Sequence, residues 1–214
     1  MTAGDAEAPP GRQRSDAGTR SRPHRAVLAL GSNLGDRLAH LQAGLDLLAA
    51  EVRVVAVSPV YETDPVGGPE QGAYLNAVVL VDGPEPRALL ALAHRVEAAR
   101  DRVREVRWGP RTLDVDLVAA GGTVLDDPAC TVPHPRAHER GFVLVPWSDV
   151  DPAAALPGRG PVADLLDALG PAGREGLRRR PDLRLAPPTG PGVTGPGATG
   201  PGATGPGSGA RPGA

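Results

Sequence analysis

The chain has 214 residues, a formal net charge of −2 from 23 basic and 25 acidic residues, and one cysteine. Such a balance gives no bulk attraction to nucleic acid or to an anionic membrane, and a lone Cys130 excludes an internal disulfide or a cysteine-rich zinc site. Every basic residue is arginine, so Walker P-loops and protein-kinase sites, which put a lysine on the phosphates, cannot operate here in their usual form.

Residues 1–24 are Gly, Pro, Arg, Asp and Ala without an apolar period, and are expected to be disordered. They contain no apolar run of a secretory leader, so the cytoplasm is the expected location. "RAVLALG" (25–31) reads as a buried strand, far too short to cross a bilayer. In "SNLGDRLAHLQAGLDLLAAE", Leu34, Leu38, Leu41, Leu45 and Leu48 recur at the spacing of an amphipathic helix, with Ser32 or Asn33 as its cap and Asp36 in its first turn. "VRVVAVSPV" (52–60) is strand-like. A Pro/Gly loop follows over 62–73, long enough to suggest function. "YLNAVVLVD" (74–82) is a strand. Residues 85–103 form a helix with Pro86 in its first turn. "EVRWGP" is a loop and "RTLDVDLV" a strand. The order β-α-β-β-α-β predicts an α+β, ferredoxin-like core, with an antiparallel sheet and two helices packed on one face. Beyond it a small hairpin, a bend at "PHP", a helical piece near 141–150 and a short helix over 161–170 are expected. The folded domain is taken as 25–170. Residues 171–214 are read as a disordered Gly/Pro/Thr-rich tail, because from about Pro187 its five-residue repeat lacks both a core and the three-residue glycine period of collagen.

The chemistry gathers around the last strand. Alternation places Leu113, Val115 and Leu117 on one face and Thr112, Asp114 and Asp116 on the other. The two carboxylates lie about 7 Å apart along the strand, and at that distance they either share divalent cations or pair with arginines on a solvated face. Arg102, Arg104, Arg107 and Arg111 flank the neighbouring Gly-Pro turn. Arginine grips phosphate through two parallel hydrogen bonds, so arginines beside metal-binding carboxylates suit phosphoryl transfer. There are five aromatics in all. Tyr74 and Phe142 either belong to the core or stack a flat heterocycle. Asn76 shares a strand face with Tyr74, and its amide offers both a donor and an acceptor to a purine or pterin edge. His134 and His138 are four apart, but Pro135 limits the helix that would align them and no third ligand stands nearby, which disfavours zinc.

"ALGSNLGDR", "SPVYETDPVGGPEQGAYLNAVV", "RVREVRWGPRTLDVDLV" and "TVPHPRAHERGFVL" together resemble the 6-hydroxymethyl-7,8-dihydropterin pyrophosphokinase family of folate biosynthesis, over about Val27 to Pro152. The resemblance implies a ferredoxin-like α+β fold. It also implies transfer of diphosphate from ATP to the hydroxymethyl group of the dihydropterin, with release of AMP. By similarity Asp114 and Asp116 hold two Mg²⁺ ions, and Arg102 and Arg111 are the catalytic arginines. Tyr74 and Phe142 sandwich the pterin. Asn76 and the backbone around Thr63, Asp64 and Val66 meet its edges, and Trp108 closes over it. Glu97, Arg104, Arg111, Leu117, Thr131, His134 and Arg140 match ATP contacts. His94 is placed at the ATP phosphates, where the family often carries glutamine, and Pro135 stands where some members have tyrosine. Asp101 replaces a glycine, and Ala129 and Cys130 lack a basic contact. A monomer acting on small molecules, with no nucleic-acid or membrane partner, is expected. Two rival readings are an RNA-binding domain of the same topology, which would need a basic strand face with aromatics, and a single-phosphoryl or nucleotidyl transferase, which would differ in its nucleotide product.

Overall fold

A computed structural model describes residues 24–65, 71–100 and 111–187. The chain runs through β1 (His24–Ser32), α1 (Arg37–Glu51), β2 (Arg53–Val57), β3 (Tyr61–Thr63), β4 (Tyr74–Gly83), α2 (Pro86–Ala98), β5 (Asp114–Ala120) and the hairpin β6 (Leu125–Asp127) and β7 (Cys130–Val132). It continues with α3 (Gly141–Val150), the two-residue strands β8 (Ala155–Leu156) and β9 (Gly160–Pro161), α4 (Val162–Leu169) and β10 (Arg178–Arg179). Single 3₁₀ turns lie at Ala137–Glu139 and Ala172–Arg174.

The main sheet is antiparallel, in the order β10-β3-β4-β1-β5, with β2 also paired to β4. The expected α+β class is what the structure shows. The expected single strand over 52–60 is two strands. Ser58 breaks it by donating its N–H to the Val78 carbonyl at 2.9 Å and accepting the Val78 N–H on its hydroxyl at 2.8 Å. Pro59 then has no N–H to continue a ladder.

Helices cover both faces of the sheet, not one. Leu28 and Leu30 of β1 and Val79 and Val81 of β4 pack with Leu41, Leu45 and Leu48 of α1 and Leu89 and Leu92 of α2. Val27, Val78 and Leu80 point the other way, into a second cluster with Val143, Leu144 and Trp147 of α3 and Val162 and Leu166 of α4. The central strands are apolar on both sides, so each face must be covered.

Helix α1 is capped by Asp36, whose carboxylate accepts the Ala39 N–H at 3.0 Å. Ser32 and Asn33, expected as the cap, are used elsewhere: Ser32 ends β1 and Asn33 binds the backbone of Arg111. The helix therefore starts later than the leucine spacing suggests, which leaves Leu34 exposed. Helix α2 ends at Ala98, short of the expected 103, and residues 101–103 lie outside the described residues. Glu85 caps its start, next to Pro86.

The folded body passes the expected boundary at residue 170. β10 pairs with β3, and Leu183 and Leu185 pack on the α1/α2 core. "LRRRPDLRL" thus belongs to the domain, because Leu183 and Leu185 find apolar surface and Arg178 and Arg180 find carboxylates. Residues 188–214, with most of the expected tail, lie outside the described residues.

Candidate active site

Asp114 and Asp116 lie on the α3/α4 side of the sheet, beyond the apolar patch that those helices cover. Parity puts Tyr74 and Asn76 of β4 on the same side as Val78 and Leu80. Register then aligns the floor of the site: Gly31 of β1 pairs with Asn76 on one flank and with Asp114 on the other, and Ala29 pairs with Asp116. Three strands thus bring an amide, a bare glycine and a carboxylate into one row. A Cβ at Gly31 would lie 3.3 Å from Asn76 Oδ1 and 4.0 Å from the Tyr74 ring, so glycine keeps this floor open. A bulge in the β1/β5 pairing makes Val118 the extra residue, and its carbonyl accepts the His134 N–H at 2.9 Å.

Above this floor is a cleft of about 360 Å³. It is lined by Thr63, Asp64, Tyr74, Asn76, Arg111, Asp114, Asp116, Arg140 and Phe142, all expected at the site. Arg111 donates to Asp114 at 2.6 Å and Arg140 to Asp116 at 2.8 Å. The Arg140 guanidinium also lies 5.6 Å from the centre of the Phe142 ring, within cation–π range. Burial works against the charge on Arg111, but Asp114 beside it, helped by Tyr74 and Asp116, holds its pKa above the ordinary value. Burial lifts the Tyr74 phenol above its usual range, with Arg111 opposing. Asn76 donates to the Thr63 hydroxyl at 2.8 Å. That bond fixes the amide and leaves its oxygen facing the floor.

The stem of β5 is fixed by Asn33, which accepts the Arg111 N–H on Oδ1 at 2.7 Å while its own N–H donates to the Arg111 carbonyl at 3.1 Å. Its Nδ2 donates to Gln71 at 3.0 Å, and Tyr74 donates to the same Gln71 oxygen at 3.3 Å. By local sequence Asn33 is a helix-cap candidate and Gln71 a loop residue. Their role follows from contacts across the fold, which no local spacing reveals. Arg136, Glu139 and the residues 172, 173, 175 and 177 also line the cleft, and none was singled out in the sequence.

Other expected residues lie elsewhere. Thr131 and His134 line a second hollow of about 240 Å³, between the β6–β7 hairpin and Leu156–Arg159. His134 Nε2 is 3.9 Å from Asp116, so the second hollow has a wall residue next to that carboxylate. Burial pushes the His134 imidazole below its usual pKa; Asp116 opposes this and Arg140 reinforces it. Glu97 is expected on the nucleotide, but it is buried and its carboxylate accepts the Val115 N–H at 2.9 Å, tying α2 to β5. Leu117 points into the α1/α2 core, so only its backbone, on the edge strand β5, is available to a ligand. His94 is exposed on α2 and does not line the cleft. Val66, Arg102, Arg104 and Trp108 lie outside the described residues.

The donor set suits Mg²⁺. Both carboxylates offer hard oxygen ligands at the cleft wall, and Mg²⁺ takes one or two carboxylates with the rest from phosphates and water. Among the described residues no group of three or more His, Cys, Asp or Glu could hold a metal.

A ring-lined slot that opens onto an acid pair and two arginines defines a phosphotransferase class of site on an α+β sheet. Residues 27–152 match the family model described as 7,8-dihydro-6-hydroxymethylpterin-pyrophosphokinase (HPPK). The 2-amino-4-hydroxy-6-hydroxymethyldihydropteridine pyrophosphokinase of Mycobacterium tuberculosis is 49% identical over 168 residues, covering 72% of this chain and 88% of the relative. The protein of the same name from Pseudomonas aeruginosa is 41% identical over 160 residues, covering 73% and 97%. The chain belongs to the 7,8-dihydro-6-hydroxymethylpterin-pyrophosphokinase family. Among solved structures, the wild-type HPPK-DHPS of Plasmodium falciparum with pterin and p-hydroxybenzoate shares the fold, with a TM-score of 0.56 at 13% identity. The match covers 74% of this chain and 45% of that one, so the chain spans about half the length of the fusion protein.

Proposed function

We propose that this chain transfers a diphosphate group from ATP to the hydroxymethyl group of 6-hydroxymethyl-7,8-dihydropterin, releasing AMP, a step of tetrahydrofolate biosynthesis. The observation that carries this reading is the row Asn76–Gly31–Asp114, which places a heterocycle-edge donor and acceptor next to a cation-holding carboxylate on one open floor.

The pterin ring lies between Tyr74 and Phe142. Asn76 Oδ1 accepts from a ring N–H, and the Thr63 hydroxyl, already accepting from Asn76, donates its own proton to a ring acceptor. The hydroxymethyl arm then points along the floor toward Asp114 and Asp116. In the free protein Arg111 and Arg140 neutralise those carboxylates. When the triphosphate enters, the arginines exchange carboxylate for phosphate oxygens and hold the charge that develops as the bond to the β-phosphorus changes partners. Asp114 and Asp116 are thereby released to hold Mg²⁺, with two ions proposed. Mg²⁺ held by these carboxylates would neutralise the phosphates and lower the pKa of the attacking hydroxyl, whose proton leaves to solvent. The adenosine end runs past Asp116 into the hollow lined by Thr131 and His134. Arg102, Arg104, Trp108 and Val66 are proposed to complete the site by family resemblance. A monomer acting in the cytoplasm, where ATP is supplied, is proposed.

The test is incubation of the full chain with ATP, Mg²⁺ and the dihydropterin, with the nucleotide product resolved chromatographically. AMP in step with pterin diphosphate is expected. ADP would instead mark a single-phosphoryl kinase and overturn the reading.

A further inference from the structure

We propose that the segment 172–180, which lies beyond the 27–152 family match, is a positioning element for the dihydropterin. It fixes the spacing between the Phe142 ring and the Thr63–Asp64 corner of the slot. The inference rests on reading the ring-lined end of the cleft as the pterin site.

The segment touches both sides of that slot. At one end, a Cβ added at Gly141 would overlap the Gly173 carbonyl oxygen, so the strap lies backbone to backbone on the start of α3, one residue from Phe142. At the other end, Gly176 adopts φ +69, and a Cβ there would lie 2.7 Å from Asp64 Oδ2. Arg178 then grips both Asp64 oxygens, at 2.8 and 3.4 Å. Between these contacts Glu175 and Leu177 line the cleft itself.

Beyond the slot the strap is anchored independently. Arg180 donates its N–H to the Val60 carbonyl at 2.9 Å and its guanidinium to Glu62 at 2.9 Å. Glu62 also accepts from Arg37 at 2.9 Å, and Arg37 donates to the carbonyl of Ala73, the residue before Tyr74, at 2.7 Å. One carboxylate thus couples the strap, β3 and the stem of β4. Leu183 and Leu185 reach the core, and the Ala186 N–H donates to Gln42 at 2.8 Å. With its downstream end held on α1, the stretch 176–178 has Asp64 as its side-chain contact at the slot. Changes there alter the slot without removing the anchor.

The test uses the full chain with Gly176→Val, Arg178→Ala and the conservative Arg178→Lys. The Kd for dihydropterin, from its fluorescence without nucleotide, and its KM are expected to rise together. The rise is about tenfold for Gly176→Val, where a branched side chain meets both a left-handed φ and Asp64. For Arg178→Ala it is about threefold, as suits a half-exposed ion pair. Arg178→Lys should recover most of the loss, while kcat and the KM for ATP stay within about twofold of the parent. A parent that forms AMP while all three variants keep its dihydropterin Kd overturns the inference and leaves the proposed activity standing. An equal rise in the KM values of both substrates also overturns it, since that marks a general loss of structure. A parent that neither binds dihydropterin nor forms AMP overturns both readings.

Discussion

Asp116→Asn separates the catalytic role of the acid pair from any role in holding the fold. The substitution keeps the shape and removes one negative charge. On the stability side two effects oppose. On the same partly exposed footing as the ion pair, relief of repulsion between Asp114 and Asp116, about 7 Å apart along the strand, is worth on the order of 1 kcal/mol. Lost attraction to Arg140, in a pair that is 20% and 32% exposed, costs on the order of 1 kcal/mol. The stability of the folded state should therefore be nearly unchanged. On the catalytic side, one of two charged protein ligands for the cation is gone, together with the partner from which Arg140 is exchanged. Loss of one pre-positioned electrostatic group costs about 10²–10³ in rate, roughly 2.7–4 kcal/mol, and a metal ligand lies at the upper end. The assay is AMP release at saturating ATP and dihydropterin, with a thermal melt of the same preparation. A variant that turns over within about threefold of the parent refutes the assignment of Asp116. A variant that melts well below the parent refutes the charge argument.

Glu97→Ala should act in the opposite sense, on stability before activity. It strips the Val115 N–H of its buried acceptor, at a cost of about 2 kcal/mol; a melt should fall by roughly 4–8 °C, and a KM for ATP that rises with no change in melting would restore Glu97 to the nucleotide site. Tyr61 gives a pH signature. Burial, followed by its 2.6 Å hydrogen bond to Asp149 and that carboxylate's charge, pushes its phenol up to about 12, with Arg179 opposing. The folded state therefore favours the protonated form. Its contribution, roughly 2.7 kcal/mol at most, is present in full below about pH 10 and is lost as pH rises toward 12. The chain has no lysine and only two tyrosines, so few other groups titrate in that window. Urea denaturation from pH 9 to 12 should show a steeper loss in the parent than in Tyr61→Phe, and parallel curves would exclude the linkage.

Local chemistry made much of this protein legible in its sequence. The leucine spacing of α1, Pro86 at the start of α2, the β-branched runs of the central strands and the alternation that pairs Asp114 with Asp116 all depend on neighbours within a few residues. The same locality explains the errors. Ser32 or Asn33 reads as a cap because both are good caps; that Asn33 is instead taken by the Arg111 backbone 78 residues away is a fact of packing. The family resemblance places Glu97 at the nucleotide, and its burial against β5, where it accepts the Val115 N–H, cannot be seen in a helix pattern.

By itself, then, the sequence determined the α+β class, most of the core helices and strands, and the residue types of the site, because periodicity and side-chain chemistry are carried by the chain alone. Tertiary structure decided which of those residues face one another. Cross-strand register set Asn76, Gly31 and Asp114 in a row, apolar strands on both faces brought α3 and its Phe142 over the sheet, and ion pairs to Asp64 and Glu62 drew in a segment that its composition marks as tail. Pairing between distant segments is fixed by the free energy of burying and matching whole surfaces, which no short stretch of chain contains.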